Sequence, residues 1–258
     1  MLAHLLRADL VPTAHASSQR AREVRLALRE RMFYVRLRTM LKNRIVTAFD
    51  RYPEQRAALR QYRDLFGAAG RKQLAALEVS AIDRIQIDRG LASIDDIACR
   101  IKECEGTIKT LSKGNENVKR LQTLPGIGEF FARLIDAEID DIARFRSASK
   151  LAAYAGLVPS TYSSGGKTHH GRIIKQGNKW LRWAFVEAVA PAVFCDPDVR
   201  AFLPAPEGHQ GRQPRQGGHR APSFDYRLCA AARRPLLSAA RRHTQRRGEP
   251  IPAVLMFR

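Results

Sequence analysis

Six positions spaced three and four residues apart constrain this chain most: Ile94, Ile97, Ile101, Cys104, Ile108 and Leu111. The steps run 3-4-3-4-3, with Ile87 in line before them. That is a heptad seam, which a helix satisfies and a strand does not. The spacing predicts a long helical stretch over Arg71 to Leu111, ended by Lys113-Gly114-Asn115. An earlier stretch repeats the period: Val24, Leu28, Met32 and Val35, then Leu37, Leu41, Ile45 and Phe49. Ser17 or Ser18 caps it, and Pro53 breaks it. Helices of this length pair as an antiparallel hairpin within one chain or between two chains; the pattern allows both.

The opposite face of the earlier helix carries Arg22, Arg25, Arg29, Arg36, Arg38, Lys42 and Arg44. It reads either as a solvated face or as a contact for a nucleic-acid backbone. The charge of the whole chain bears on that choice: 45 Lys+Arg stand against 25 Asp+Glu, a formal net charge of +20. Such a field favours polyanionic partners. The four cysteines, Cys99, Cys104, Cys195 and Cys229, form no C-x-x-C pair and no cluster with zinc spacing. Cys104 falls on the apolar seam as a buried thiol, which fits a reducing cytoplasm. No apolar run reaches the length of a membrane span. Met1 to Leu10 has the apolar pattern of a helix, stopped by Val11-Pro12, and contains Asp9, so it is no secretory signal. It reads as the last helix of something longer.

The chemistry concentrates between Leu121 and Val189. Val118, Leu121 and Leu124 lead into Pro125-Gly126-Ile127-Gly128, after which Phe130, Phe131, Leu134 and Ile135 resume the helical period. Two short helices about such a turn make a helix-hairpin-helix pattern. Its glycines permit close backbone approach, and the second helix offers free amides to a phosphate. Gly126, Ile127 and Gly128 are therefore candidate nucleic-acid contacts of a sequence-independent kind, against the plainer reading of a simple turn. Asp136, Glu138, Asp140 and Asp141 follow; clustered acids can bind metal, but here they read as a helix end. Phe145 to Pro159 reads as a small helix with Ser147 at its N-cap, Leu151 and Tyr154 inward, and Gly156 just past its end. Ser160 to Gly171 has the composition of an exposed, mobile functional loop, with Tyr162 and Ile173-Ile174 as short β-like flanks. Gly177-Asn178 caps a last helix bearing Trp180, Leu181, Phe185 and Val189, and Arg172, Lys175, Lys179 and Arg182 make its approach basic. The tryptophans read as core, although a basic aromatic edge also serves nucleic acid.

Composition changes after Asp198. Residues 201–258 hold seven of the 13 prolines, eleven arginines and no lysine, with no sustained period. Arg, Pro, Gly and Ala are residues of GC-rich codons. The segment reads as an out-of-frame tail past a frameshift near Val199–Leu203, or as a natural disordered basic tail.

At LPGIG, FRSASKLAAYAGLVPSTYSSGGK and IIKQGNKWLRWAF the chain resembles the DEDD-type transposases of bacterial insertion sequences, the insertion-sequence 110/116/902 family. The resemblance runs from about Leu2 to Val193. It implies a RuvC-like nuclease domain, a coiled-coil linker and a C-terminal transposase domain with a helix-hairpin-helix. It implies DNA strand exchange guided by an element-encoded RNA. It also implies a nucleophilic serine matching Ser164, with Ser163 as second choice; from the residues alone both read as ordinary loop serines making local hydrogen bonds. Lys167 and Arg172 stand close in sequence and suit the charge that develops on a phosphate. A serine hydroxyl needs activation, which the resemblance assigns to four acids and Mg²⁺ in the RuvC-like domain. The chain starts at the segment that follows the family's last acids, and Asp9 matches none of them.

The expected molecule is mainly α: residues 1–16 the end of a RuvC-like domain, 17–114 a helical hairpin or coiled coil, 115–198 the transposase domain, and 199–258 disordered. The resemblance implies a transposase, incomplete in catalysis on its own, holding no metal or other cofactor in these residues. DNA, a guide RNA and a second copy through the coiled coil are the implied partners, in the bacterial cytoplasm with the nucleoid. The alternative is a non-enzymatic helix-hairpin-helix module that binds nucleic acid. A structural coiled-coil protein would not need the charge.

Overall fold

A computed structural model describes residues 2–10, 14–124, 126–174, 176–195 and 197, and gives the backbone alone for 2 and 167–172. The stop at Val11-Pro12, the basic residue Lys175 and the tail from 199 lie outside the described residues. Nine α-helices and one β-hairpin are described, so the chain is mainly α, as expected. They fall into two compact units, Glu23–Lys113 on one side and Met1–Arg22 with the described residues from Gly114 on the other.

In the first unit, α2 (Gln19–Ala48) and α5 (Ala81–Leu111) are the long helices; α1 (Leu2–Arg7) precedes them. The seam is used as its spacing demands: Ile87, Ile94, Ile97, Ile101, Cys104 and Ile108 are buried, and so are Val24, Leu28, Ile45 and Phe49 opposite. Two contacts fix the direction. Arg31 donates to Glu105 Oε1 at 2.8 and 2.9 Å, and Ile45 lies against Gly90. As the residue number rises on one helix it falls on the other, so the pair is an antiparallel hairpin within one chain. Burial of the Cys104 thiol pushes its pKa up, with the carboxylates of Glu30 and Glu103 acting the same way against Arg31.

The expected continuous helix from Arg71 is in fact two. After α3 (Pro53–Leu59), which starts on its proline, α4 (Ala68–Ala76) ends, Leu77 turns extended, and Ser80 caps α5 by accepting from Asp83 N. Asp83 is what closes the break. Its carboxylate accepts from Tyr52 Oη at 2.7 Å, from Ser80 Oγ at 2.8 Å and from the Arg51 guanidinium. Those hydrogen bonds, Tyr52 first, hold its pKa below the ordinary carboxylate value, against the opposing pull of burial. Phe49, Leu59, Leu74, Ile87 and Ile94 fill the end of the hairpin.

In the second unit the order is α6 (Glu116–Gln122), α7 (Glu129–Ile139), a short 3₁₀ turn at Ile142–Arg144, α8 (Ala148–Tyr154), β1 (Pro159–Ser164), β2 (Lys167–Ile173) and α9 (Lys179–Cys195). Asn115 caps α6, and Ser147 caps α8 by accepting from Lys150 N. Helix α7 brings Leu134 and Ile135 to the core, and α9 brings Leu181, Phe185 and Val189. Each large aliphatic side chain so buried contributes about 2 kcal/mol. The core face of α9 also carries Ala184, Ala188 and Ala192, all buried. A stripe of small side chains lets another backbone come close to this helix, and one does.

Candidate nucleic-acid interface and serine hairpin

The segment expected as a mobile loop is a β-hairpin. Strand β1 pairs antiparallel with β2 in the register Thr161↔His170, Tyr162↔His169, Ser163↔Thr168 and Ser164↔Lys167. Only Gly165 and Gly166 remain between Ser164 and Lys167, both with positive φ (58° and 76°). A two-residue turn of this hand matches the twist of paired strands, and glycine is the residue that adopts it cheaply at both positions. The register shifts between Pro159 and Thr161, a bulge that places an extra residue on β2 near Arg172. Successive side chains of a strand point to opposite faces. Ser163 and Ser164 therefore stand on opposite faces of the hairpin, both exposed, with Tyr162 on the Ser164 face. A Cβ added to Gly165 or Gly166 would meet nothing within 4 Å. The tip is open, and the backbone sets Lys167 directly across from Ser164.

The other glycine turn is built differently. Leu124 N donates to Leu121 O, Ile127 N donates to Leu124 O, and Gly126 takes a positive φ of 85°. Ile127 is buried in the core. A Cβ on Gly126 would overlap the carbonyl oxygen of Ala188 on α9. The close backbone approach expected of this glycine is thus made to α9. Gly128 differs: its φ is −77°, it is the N-cap of α7, and a Cβ there would meet nothing within 4 Å.

Asn178 holds the start of α9. Asn178 Oδ1 accepts from Trp180 N at 3.0 Å and Leu181 N at 3.1 Å, and its Nδ2 donates to Glu138 Oε2 at 2.7 Å. Glu138 is 2% exposed, so this carboxylate ties α7 to the cap of α9. Gly177 packs on the end of α8, where a Cβ would come within 2.6 Å of Tyr154 O, and Asn178 N donates to that same oxygen. Lys179 follows as the first residue of α9, its Nζ 5.7 Å from the Trp180 ring centroid.

The four acids each have a partner in the fold. Asp136 accepts from Asn115 Nδ2 at 2.5 Å, with the Arg20 guanidinium 3.7 Å away. Asp140 accepts from Ser18 N at 2.8 Å and Ser18 Oγ at 2.6 Å, with His15 Nε2 at 3.2 Å. Burial works to raise the Asp140 pKa, but the Ser18 bonds and His15 together outweigh it and leave the carboxyl below its ordinary value. Asp141 Oδ1 accepts from Ala143 N. Among the described residues no three His, Cys, Asp or Glu side chains stand together as metal ligands.

The candidates thus divide into three places. Ser163, Ser164, Lys167 and Arg172 share the β-hairpin; Gly126, Ile127 and Gly128 share the α6–α7 turn; Lys179 opens α9. The chain of packing that links them runs from Gly156 and Gly177 to α9, and from Ala188 to Gly126. Sequence reading missed Glu138 as an organiser and the docking of Ser18 on Asp140. The capping pattern at Ser18 and Asn178 was the available signal; their distant partners left none.

Residues 118–204 match the sequence model of the Transposase IS116/IS110/IS902 family. The chain is 28% identical over 178 residues to a putative transposase, y4pF/y4sB, of Sinorhizobium fredii, covering 64% of this chain and 42% of that protein. It is 39% identical over 82 residues to the transposase for insertion sequence element IS1111A of Coxiella burnetii, covering 32% of this chain and 22% of that protein. With the transposase for insertion sequence element IS1328 of Yersinia enterocolitica it shares 38% identity over 88 residues, covering 34% and 26%. The chain thus spans less than half the length of these relatives. No described helix is long and apolar enough to cross a membrane.

Proposed function

We propose that this chain, whose residues 118–204 match the model of the IS116/IS110/IS902 transposase family, binds DNA and supplies the serine nucleophile of an insertion-sequence transposase. The observation that carries the reading is the open tip at Ser164-Gly165-Gly166, with Lys167 across the ladder. The Ser164 hydroxyl attacks a DNA phosphorus, a phosphoester to the protein forms, and the displaced sugar oxygen leaves with a proton. Cationic charge nearby stabilises the phosphate oxygens as their charge grows. The α6–α7 turn acts as a helix-hairpin-helix: Gly128, the glycine with free space, lets a phosphate approach the first amides of α7, while Gly126 holds the turn on α9.

The described residues do not fit the Mg²⁺ that the family implies, since Asp136, Glu138, Asp140 and Asp141 are each engaged by a side chain or an amide of the fold. The family resemblance assigns that metal to the acids of a RuvC-like domain. Partners are DNA, an element-encoded RNA and a second copy. Leu26, Phe33 and Met40 support the last: all three are exposed and spaced by seven along α2, an apolar stripe the intrachain seam leaves uncovered. The site of action is the bacterial cytoplasm, with the nucleoid.

The test uses a longer form, with a RuvC-like domain joined before Leu2. There Ser164→Ala abolishes recombination and the covalent protein–DNA species and leaves DNA binding near normal, while Ser163→Ala is mild. Loss with Ser163→Ala alone moves the nucleophile by one residue and to the other face of the hairpin. Normal recombination by both variants removes the hairpin from the chemistry.

A further inference from the structure

Four aromatic side chains gather where α7 and α9 begin: Phe130, Phe131, Trp180 and Trp183. Trp183 is the hub, its ring centroid 4.9 Å from Phe131, 6.0 Å from Phe130 and 6.2 Å from Trp180. The interplanar angles are 64–73°, so every contact is edge to face and no two of these rings are stacked flat. All four are half-buried rather than enclosed. A core aromatic cluster would be sealed, as Phe49 is at 0% exposure. This one stays partly open. Its polar surroundings are also uneven. Lys179 lies over Trp180. On α7, Glu129 is paired with Arg133 at 2.6 Å. Glu187 takes the indole N–H of Trp183 at 3.2 Å.

We propose that this cluster is a stacking platform for unpaired nucleobases of a single-stranded nucleic acid. The proposal rests on the nucleic-acid reading above and adds what part of the ligand it takes. Every base has a flat π-face, so aromatic rings accept bases with little regard to sequence, while a lysine at the rim follows the phosphate. The platform begins at Phe130, two residues beyond Gly128, where a duplex backbone is proposed to approach. Strand exchange leaves bases unpaired at the edge of a duplex, and the placement suits that junction. The net charge of +20 on the chain as a whole favours a polyanionic occupant.

The chain contains two tryptophans, and both are in the cluster, so emission excited selectively from tryptophan reports this site alone. The measurement titrates the intact 258-residue chain with three probes of equal length: oligothymidylate, the same strand with abasic sites throughout, and a blunt duplex. Oligothymidylate quenches the tryptophans and binds about ten-fold tighter than the abasic strand, because only the former can stack. Trp180→Ala lowers that advantage several-fold and leaves duplex binding unchanged. Equal affinity for the base-bearing and abasic strands, with duplex binding intact, overturns the platform and spares the nucleic-acid reading. Failure of all three probes overturns both. A blue shift with rising protein concentration, without response to any strand, assigns the face to a second copy and also overturns the platform. The comparison of strands uses the unmodified chain, so it holds even if Trp180→Ala folds poorly.

Discussion

Two glycine turns in one unit take the same backbone hand for different reasons. At Gly126 the φ is 85° and a Cβ would overlap the backbone of α9; at Gly165 and Gly166 the φ values are 58° and 76° and a Cβ would meet nothing. The first turn is closed by packing from a helix 62 residues further along the chain. The second is required only by the twist of its own strands. A glycine-rich sequence therefore says that the backbone is special, and only the neighbours say whether the space beside it is filled by the fold or left for a ligand. Asp140 is a third case. It has a positive φ (62°) without being glycine, and Ser18 and His15 hold its side chain there. Backbone strain of this kind persists when surrounding bonds over-determine it.

The sharpest way to break the contrast is Gly126→Ala. It combines a left-handed β-carbon with overlap on Ala188, together worth about 3 kcal/mol or more. A large drop in the thermal midpoint of the intact chain is expected. A drop no greater than that of a surface substitution would mean that α9 yields easily and the two turns are alike.

Asp140 sharpens it through pH. Its folded pKa is depressed, so its contribution is present above the unfolded carboxylate value, about 3.9, and is lost as pH falls through the lower folded value. Asp140→Asn should be less stable than the parent at neutral pH and lose less on acidification. Hydrogen exchange of residues 14–18 localises the effect and separates it from Asp83 and Asp95, which are shifted in the same direction in the other unit. Equal acid sensitivity in variant and parent would remove the Ser18 anchor from the account.

Changes at the open turn should be smaller. Gly165→Ala with Gly166→Ala costs about 2 kcal/mol in the hairpin, visible as faster exchange of β1 and β2 amides with little change in the global midpoint. Gly165→Asn should be nearly silent, since asparagine accepts this hand. A global destabilisation equal to that of Gly126→Ala would erase the distinction. Gly128→Ala is the smallest in stability, within about 0.5 kcal/mol, yet it should weaken duplex binding evenly across sequences. An unchanged affinity and salt slope would leave Gly128 as a turn residue only.

Much of this arrangement was legible in the sequence. The seam from Ile94 to Ile108 is buried as its spacing required, because a heptad leaves a helix only one face to cover. Ser18, Ser147 and Asn178 cap their helices because capping is decided within three residues. The break before α5 was missed: Leu77 to Ser80 interrupts the helix, and what stabilises the interruption is Asp83 reaching back to Tyr52. Of the β-hairpin only the β-like flanks at Tyr162 and Ile173-Ile174 are legible, because β1 is exposed along Ser163 and Ser164 and so shows no alternation of apolar and polar residues. A further local sign is the two-residue Gly165-Gly166 pair between those flanks. Gly126 was legible as a turn, but Ala188 as its neighbour was not, since nothing local encodes a contact so distant in the chain.

The open turn is where DNA is proposed to join the protein. The most direct measurement is to trap the covalent protein–DNA species in the longer form, digest both components, and map the nucleotide-bearing residue by mass spectrometry. The account predicts the adduct on Ser164, beside Gly165 and across the ladder from Lys167. An adduct on Ser163 or on any residue outside β1 would contradict it.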